Sequence, residues 1–203
     1  MRGRLAAGTL VLALLAMRAW SQTYEQQFNL CSSGTTPEQK IQGCSTVIAA
    51  NREPADTMAK IYYTRGLMQR RLGQNDAALK DYNQSLRLAP TSDVYNSRCY
   101  LFAITSRLQE ALKDCNEALR LNPRNQYAYD SRGLAYLKLG MVDAAIADYD
   151  AALGIEPGRP YSMAGRGFAR RRKGDSAGGE ADLAAARAQV PGIVEEFARY
   201  GVK

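Results

Sequence analysis

The 203-residue chain contains no histidine and a single tryptophan, Trp20. Without histidine it has no side chain that ordinarily titrates near neutral pH, and it lacks the commonest ligand of zinc. Histidine-based acid–base catalysis and serine–histidine triads are therefore excluded. The sequence also lacks a Cys-x-x-Cys pair, a phosphate-binding glycine loop and a cluster of metal ligands. We therefore predict a protein that is not an enzyme and that uses no cofactor and no metal.

Long apolar stretches are equally scarce. The run from Leu5 to Met17 has 13 residues, whereas a membrane-spanning helix needs roughly 20. Two arginines precede this run and Ala19-Trp20-Ser21 follows it, so residues 1–21 are predicted to be a signal peptide that is cleaved after Ser21. An uncleaved membrane anchor is the alternative. After cleavage we expect no membrane span and a periplasmic or secreted protein.

The positive charge is modest once the leader is removed. Loss of Arg2, Arg4 and Arg18 lowers the formal net charge from +7 to +4. A solvated helical surface accounts for such a surplus, and base-stacking or groove-reading motifs are lacking, so we predict no nucleic-acid partner. The one basic run, Arg170–Lys173, could bind an anion or could form a solvated helix end. Its four members point in different directions on a helix, which favours the solvated end.

Four prolines recur at nearly constant spacing. Pro90, Pro123, Pro157 and Pro191 are separated by 33, 34 and 34 residues. Two further columns follow the same register, the first of mainly small residues and the second of mainly large ones: Gly66, Cys99, Gly133 and Gly167, and Tyr82, Cys115, Tyr149 and Leu183. Small residues let two antiparallel helices approach closely, and large residues fill the space beside them. The pattern predicts repeated helical hairpins.

Each hairpin carries turn and capping residues. Gly73, Gly140 and Gly174 stand where a first helix is expected to end. Four side chains are predicted to cap second helices: Asn75, Asp76, Asp143 and Asp175. Each recurring proline follows a second helix and prevents its continuation.

The third copy allows the family to be recognised. Tyr129-Asp130-Ser131-Arg132-Gly133-Leu134-Ala135-Tyr136, followed by Leu139-Gly140 and Pro157, closely resembles the tetratricopeptide (TPR) pattern. The stretch from Tyr62 to Pro90 does so as well. The resemblance implies an all-α fold, a right-handed superhelical solenoid of helix–turn–helix repeats. The exported leader makes the chain similar to periplasmic TPR proteins of proteobacteria.

The expected organisation follows from the repeat. It comprises a signal peptide at 1–21, a divergent N-terminal hairpin at 22–58, four repeats at 59–91, 92–125, 126–159 and 160–193, and a capping helix at 194–203. The capping helix, read from Ile193 to Tyr200, is expected to cover the apolar end of the stack.

The four cysteines form two candidate pairs. An even number in an exported protein suggests disulfides, Cys31 with Cys44 and Cys99 with Cys115. The alternative is that the cysteines are reduced and serve as small apolar fillers.

Every copy also carries an arginine and, 16 residues later, an aspartate: Arg65/Asp81, Arg98/Asp114, Arg132/Asp148 and Arg166/Asp182. This spacing places one member on each helix of a hairpin. Because a ligand site would hardly be copied in every repeat, a structural ion pair is predicted.

By resemblance to TPR proteins, one face of each first helix lines an inner groove. The predicted partner-binding residues are Lys60, Tyr63, Leu67, Arg70, Arg71, Asn96, Tyr100, Ile104, Tyr127, Asp130, Leu134, Lys138, Tyr161, Phe168, Arg171 and Arg172. Aromatic and basic residues together suit a peptide with some acidic character. The alternative is that these are ordinary solvated positions.

The functional hypothesis is a non-catalytic interaction module that binds a peptide or partner protein in the concave TPR groove in the periplasm. The alternative is an envelope assembly or scaffold factor that binds through a whole face of the solenoid. An enzyme is the least favoured class.

The leader generates a first prediction. Because Trp20 lies within it, the processed protein should contain no tryptophan and should show only tyrosine fluorescence. Intact mass and emission spectra of the exported protein test this. A tryptophan emission band from that protein would show that residues 1–21 are retained.

Overall fold

A computed structural model describes residues 23–202 of the chain. The predicted signal peptide lies outside the described residues. Within them all regular structure is helical, and no helix combines the length and apolar character that crossing a bilayer requires. The helices are α1 at 23–33, α2 Pro37–Ala50, α3 Ala55–Arg71, α4 Asn75–Leu88, α5 Ser92–Ile104, α6 Leu108–Leu121, α7 Gln126–Lys138, α8 Val142–Ile155, α9 Pro160–Lys173, α10 Ser176–Gln189 and α11 Ile193–Arg199. The expected all-α fold is confirmed.

The chain divides after Ala89 into two compact units. The first contains two hairpins, α1 with α2 and α3 with α4. In its divergent first hairpin, the disulfide between Cys31 and Cys44 has an S–S distance of 2.02 Å. The two cysteines form a core with Val47, Met58 and Ile61, which joins the first hairpin to α3. The first of the two predicted disulfides is therefore present.

Helix α2 has a complete N-terminal cap. The hydroxyl of Thr36 accepts a hydrogen bond from the backbone of Gln39, and the Gln39 side chain accepts from the backbone of Thr36 in return. Pro37, at the first helical position, needs no hydrogen-bond partner there. This local sequence fixes where the second helix of the divergent hairpin begins.

The second unit consists of three hairpins and a final helix. Helices α5, α7 and α9 lie side by side, and α6, α8 and α10 pack behind them. The second predicted disulfide, Cys99–Cys115, joins α5 to α6 with an S–S distance of 1.96 Å. Helix α11 packs against α9 and α10.

The predicted turn glycines adopt the backbone conformation that requires glycine. Gly73, Gly140 and Gly174 have φ values of 72°, 77° and 98°. Such values place them in the left-handed region, where a side chain is strained. Ser106 takes the same position in the second copy with a φ of 62°, so the turn is kept there without glycine.

The capping prediction holds for only one of its four residues. Asp175 precedes α10 and accepts a hydrogen bond from the backbone of Gly178 at 2.9 Å. The prediction was wrong for Asn75, Asp76 and Asp143, because these residues lie within the first turn of their helices. Two of them, Asp76 and Asp143, still place negative charge at the positive end of a helix dipole.

The small and large columns meet between the helices of each hairpin. A Cβ atom added to Gly66 would lie 2.8 Å from the Tyr82 ring, and one added to Gly133 would lie 3.0 Å from the Tyr149 ring. Gly165 approaches Tyr149 from the next hairpin, and a Cβ there would lie 2.1 Å from the ring carbon Cζ. The Tyr149 ring is therefore enclosed by two glycine-bearing helix faces, which leave no room for a side chain.

All four predicted ion pairs are present. The Nε–Oδ2 distances of the first three pairs are 2.7 Å for Arg65–Asp81, 2.6 Å for Arg98–Asp114 and 2.8 Å for Arg132–Asp148, and Arg166 Nη2 lies 2.8 Å from Asp182 Oδ1. In each pair two guanidinium nitrogens donate to the two carboxylate oxygens. The aspartate side chains are at most 10% exposed, so the arginines neutralise buried charge.

The enclosed ring of Tyr149 predicts the effect of one glycine substitution. Gly165→Ala should lower the free energy of unfolding by roughly 1–3 kcal/mol, because the added methyl group overlaps a ring that cannot move away. Urea unfolding followed by circular dichroism measures the change. Gly154→Ala is the matched control: it lies in helix α8, and an added Cβ meets nothing within 4 Å. The control should be neutral or up to about 1 kcal/mol more stable. Equal effects of the two substitutions would contradict the packing argument.

The buried tyrosines predict a loss of stability at alkaline pH. Burial raises the pKa of Tyr82 to about 12 and that of Tyr149 well above 10. Because the folded state favours the neutral hydroxyl, the contribution of these tyrosines to the free energy of unfolding is complete below pH 10. It is lost as the pH rises from 10 towards the pKa that each tyrosine has in the folded state. Above pH 10 each group should cost about 1.4 kcal/mol per pH unit.

Unfolding measured between pH 9 and 11.5, with absorbance at 295 nm recording tyrosine ionisation, tests this expectation. The free energy of unfolding of the Tyr149→Phe variant should fall less steeply with pH than that of the unmodified protein. Its stability at pH 7 should change little, because no partner for the Tyr149 hydroxyl is found among the described residues. Parallel pH curves for the two proteins would contradict the assignment.

Candidate functional site

The second unit presents predicted groove residues to its own C-terminal segment. We call the surface formed by Tyr100 on α5, Leu134 on α7, and Tyr161 and Phe168 on α9 the inner face. Residues 193–202, which comprise α11 and the turn that follows it, form the C-terminal segment. The ring of Phe168 stacks on Phe197 of this segment, with a centroid separation of 5.4 Å and an interplanar angle of 27°. The inner face is thus occupied at α9.

A chain of hydroxyl hydrogen bonds extends the contact to α5. Tyr100 donates to the Tyr200 hydroxyl at 2.7 Å, and Tyr200 donates to Glu196 Oε1 at 2.6 Å. Tyr161 donates to the other oxygen of Glu196 at 2.9 Å. The rings of Tyr100 and Tyr200 meet edge to face, with centroids 6.1 Å apart. The carboxylate of the segment therefore accepts from one hydroxyl of the inner face, Tyr161, and from one hydroxyl of the segment itself, Tyr200.

The end of the C-terminal segment is shaped by its own backbone. Gly201 has a φ of 83° and donates to the carbonyl of Ala198, and Val202 donates to the carbonyl of Phe197, each at 3.0 Å. This paired arrangement is a Schellman motif, which ends a helix and turns the chain back on itself. Phe197 and Val202, the two residues that such a motif brings together, are buried. The turn holds Tyr200 beside Tyr100.

The tyrosines around Glu196 remain neutral at physiological pH. Burial and the hydrogen bond to Glu196 raise the pKa of Tyr161 to about 12, and the same two causes raise the pKa of Tyr200 further. Both hydroxyls therefore keep the proton that they donate to the carboxylate.

Two polar residues of the predicted groove make contacts between neighbouring first helices. Asp130 on α7 accepts hydrogen bonds from Arg159 at 2.8 Å and from Ser162 at 2.5 Å. Asn96 on α5 accepts from Ser131 at 2.8 Å. These side chains hold α5, α7 and α9 together.

Two predicted cationic groove residues bind the ends of neighbouring helices. Lys138 donates to the carbonyl of Ala103 at 2.7 Å, and Arg172 donates to the carbonyl of Leu137 at 2.6 Å. Each cation thus lies at the C-terminus of the preceding first helix, where backbone carbonyls lack helical partners and the helix dipole is negative. Two of the three cationic residues predicted for the groove of the second unit, Lys138 and Arg172, are therefore engaged in helix packing.

The other predicted groove residues differ in exposure. In the second unit Leu134 is buried, Ile104 is half-buried, and Arg171 is exposed. Tyr127 is 52% exposed, and the Arg159 guanidinium lies 4.4 Å from its ring centroid. In the first unit Lys60 and Arg71 are exposed, whereas Tyr63, Leu67 and Arg70 are half-buried. In residues 23–202 no group of three acidic or cysteine side chains is placed to hold a metal ion.

The contact of the C-terminal segment with the inner face was not predicted from the sequence. A helix was predicted from Ile193 to Tyr200, and the structure has one from Ile193 to Arg199. The segment was expected to cover the last hairpin of the stack. It also reaches Tyr100, which lies on α5 in the first hairpin of the second unit. The spacing of Phe197 and Tyr200, one helical turn apart beside Glu196, was the available signal.

Sequence profiles described as tetratricopeptide repeat match residues 59–92 and 105–162. A search of curated proteins finds no match. A crystal structure of MamA is 19% identical with a TM-score of 0.66, over 86% of this chain and 96% of that chain. MamA from Desulfovibrio magneticus is 18% identical with a TM-score of 0.68, over 86% and 94%. A TPR protein from Parabacteroides merdae is 21% identical with a TM-score of 0.66, over 89% and 73%. At these identities the likeness concerns the fold, and together with the profiles and the internal repeat it shows that the chain belongs to the tetratricopeptide repeat family.

Proposed function

We propose that the protein binds a peptide or a segment of a partner protein on the inner face of its TPR helices, and that it acts by binding and not by catalysis. Membership of the TPR family supports a protein-interaction module in general. The choice of the inner face depends on one observation: the surface formed by Tyr100, Phe168 and Tyr161 already holds a polypeptide segment.

The contacts on the inner face are of the kinds that recognise peptides. Ring stacking supplies apolar area, and tyrosine hydroxyls supply directed hydrogen bonds. Both are made by side chains on α5 and α9. Helix α7 links these two helices, because Lys138 binds the end of α5 and Asp130 accepts from Ser162 of α9, so the binding groups are positioned before a ligand arrives. Such preorganisation lowers the entropic cost of binding.

The proposed location is the periplasm. The two disulfides support it, because structural disulfides persist in oxidising compartments and are rare in the cytosol. The signal-like leader at residues 1–21 supports the same location from the sequence.

Site-specific photo-crosslinking in cells tests the proposed surface. A benzoylphenylalanine at Tyr127 should give a covalent adduct with a defined partner. Tyr127 is exposed and lies 34 residues before Tyr161, at the equivalent position of the preceding repeat. Mass spectrometry of the adduct identifies the partner.

The same crosslinker at Leu121 is the matched control. Leu121 is 41% exposed and is the last residue of α6, a second helix. An adduct from position 127 alone supports binding at the inner face. An adduct from position 121 alone would reject that site in favour of the scaffold hypothesis, in which another face of the solenoid meets the partner.

A further inference from the structure

The C-terminal segment occupies the inner face as a ligand would. Its helix has only seven residues, too few to be stable alone in water. The segment is therefore held by what it contacts, namely Phe168, Tyr161 and Tyr100 on two different helices of the layer.

The two ends of the segment are attached differently. Ile193 is fully buried at the start of α11, directly after Pro191 and Gly192. The far end is held by the rings of Phe197 and Tyr200 and by hydrogen bonds to Glu196. Release of the rings and the carboxylate would uncover the inner face while Ile193 remained in the core.

We infer that residues 193–202 are an intramolecular competitor for the inner face, and that the partner is a protein segment of the same chemistry. This inference rests on the proposed function, because it names the ligand class and the regulation of that site. The partner segment is a short helix with two aromatic side chains three positions apart and a carboxylate directly before the first of them. This is the Glu196, Phe197 and Tyr200 pattern.

Each feature of that ligand has a complement on the inner face. The first aromatic ring stacks on Phe168, and the second meets Tyr100 edge to face. The carboxylate accepts a hydrogen bond from the Tyr161 hydroxyl. A ligand that lacks the carboxylate would lose this hydrogen bond to a charged acceptor, so the surface favours an acidic residue.

The apparent affinity for the partner equals the intrinsic affinity multiplied by the fraction of molecules in which the inner face is open, and the competitor lowers that fraction. Two aromatic contacts of ordinary strength shift such an equilibrium by about tenfold or more. We therefore expect that loss of the two rings from the segment increases the affinity for an added ligand by at least about tenfold.

A peptide of residues 191–203 with an N-terminal fluorophore is the probe, and fluorescence anisotropy gives its Kd. The purified full chain should bind the peptide weakly. The double variant Phe197→Ala/Tyr200→Ala should bind it at least about tenfold more tightly. Addition of Tyr100→Phe to that variant should weaken binding severalfold, because it removes the hydroxyl that donates to the tyrosine of the peptide.

A matched pair of conservative variants guards against misfolding of the double variant. Glu196→Gln should raise peptide affinity severalfold, because the acceptor of Tyr161 and Tyr200 loses its charge. Glu195→Gln, at the adjacent position, should behave as the unmodified protein, because the Glu195 side chain is exposed. Amide hydrogen exchange should be faster across residues 193–202 in the Glu196→Gln variant and unchanged in α7.

The outcomes separate this inference from the proposed function. Equal peptide affinity in the unmodified chain, the double variant and the Glu196→Gln variant would overturn the competition, whereas a crosslink from position 127 would still support inner-face binding. No peptide binding by variants whose segment exchanges rapidly would overturn the ligand chemistry, whereas the crosslink from position 127 would still stand. Tight peptide binding without any crosslink from that position would reject the proposed function alone.

Discussion

The buried pairing of arginine with aspartate is the constraint on which each hairpin depends. Burial of a carboxylate on a second helix is costly unless a cation accompanies it, and the bidentate guanidinium both neutralises it and fixes the angle of approach. The third nitrogen of the same group reaches the preceding hairpin, from Arg65 to Ser45 at 3.0 Å, from Arg132 to Asn116 at 2.7 Å and from Arg166 to Asp150 at 2.7 Å. In these three copies one side chain therefore sets the packing within its own hairpin and against the preceding hairpin.

The slot beside each ion pair shows how different chemistry fills one space. In the first and third copies a glycine faces a tyrosine ring, and in the fourth Gly167 faces Leu183. In the second copy a disulfide between Cys99 and Cys115 occupies the slot. A covalent link restricts the unfolded chain, whereas a ring gains contact area, so the copies reach the same geometry by different contributions to stability. The cysteines replace packing groups here and need no redox role.

The parts that could be predicted from the sequence are those in which every copy repeats the same physics. These are the prolines, the turn glycines, the ion pairs and both disulfides. Each lies at a position that recurs in register from copy to copy, so one copy supports the prediction made for another. The capping prediction failed at Asn75 and Asp143 because a shift of one or two residues moves a side chain from the cap into the first turn, and composition does not fix that shift. The contact of the C-terminal segment with the inner face could not be predicted, because it occurs only once among the described repeats and joins residues 100 positions apart.

The way in which the inner face binds a carboxylate follows from its contacts and is not what its residue composition suggests. Basic residues in the groove suggest that an acidic ligand is held by charge, yet Lys138 and Arg172 are bound to carbonyls at the ends of α5 and α7. Glu196 is instead held by the neutral hydroxyls of Tyr161 and Tyr200, whose pKa values burial keeps high. Hydrogen bonds from neutral donors are less sensitive to salt than ion pairs and more demanding in direction. Recognition on this surface therefore depends on a carboxylate that lies between the Tyr161 hydroxyl and the ligand's own tyrosine hydroxyl. A ligand of equal net charge without that spacing gains little from these hydrogen bonds.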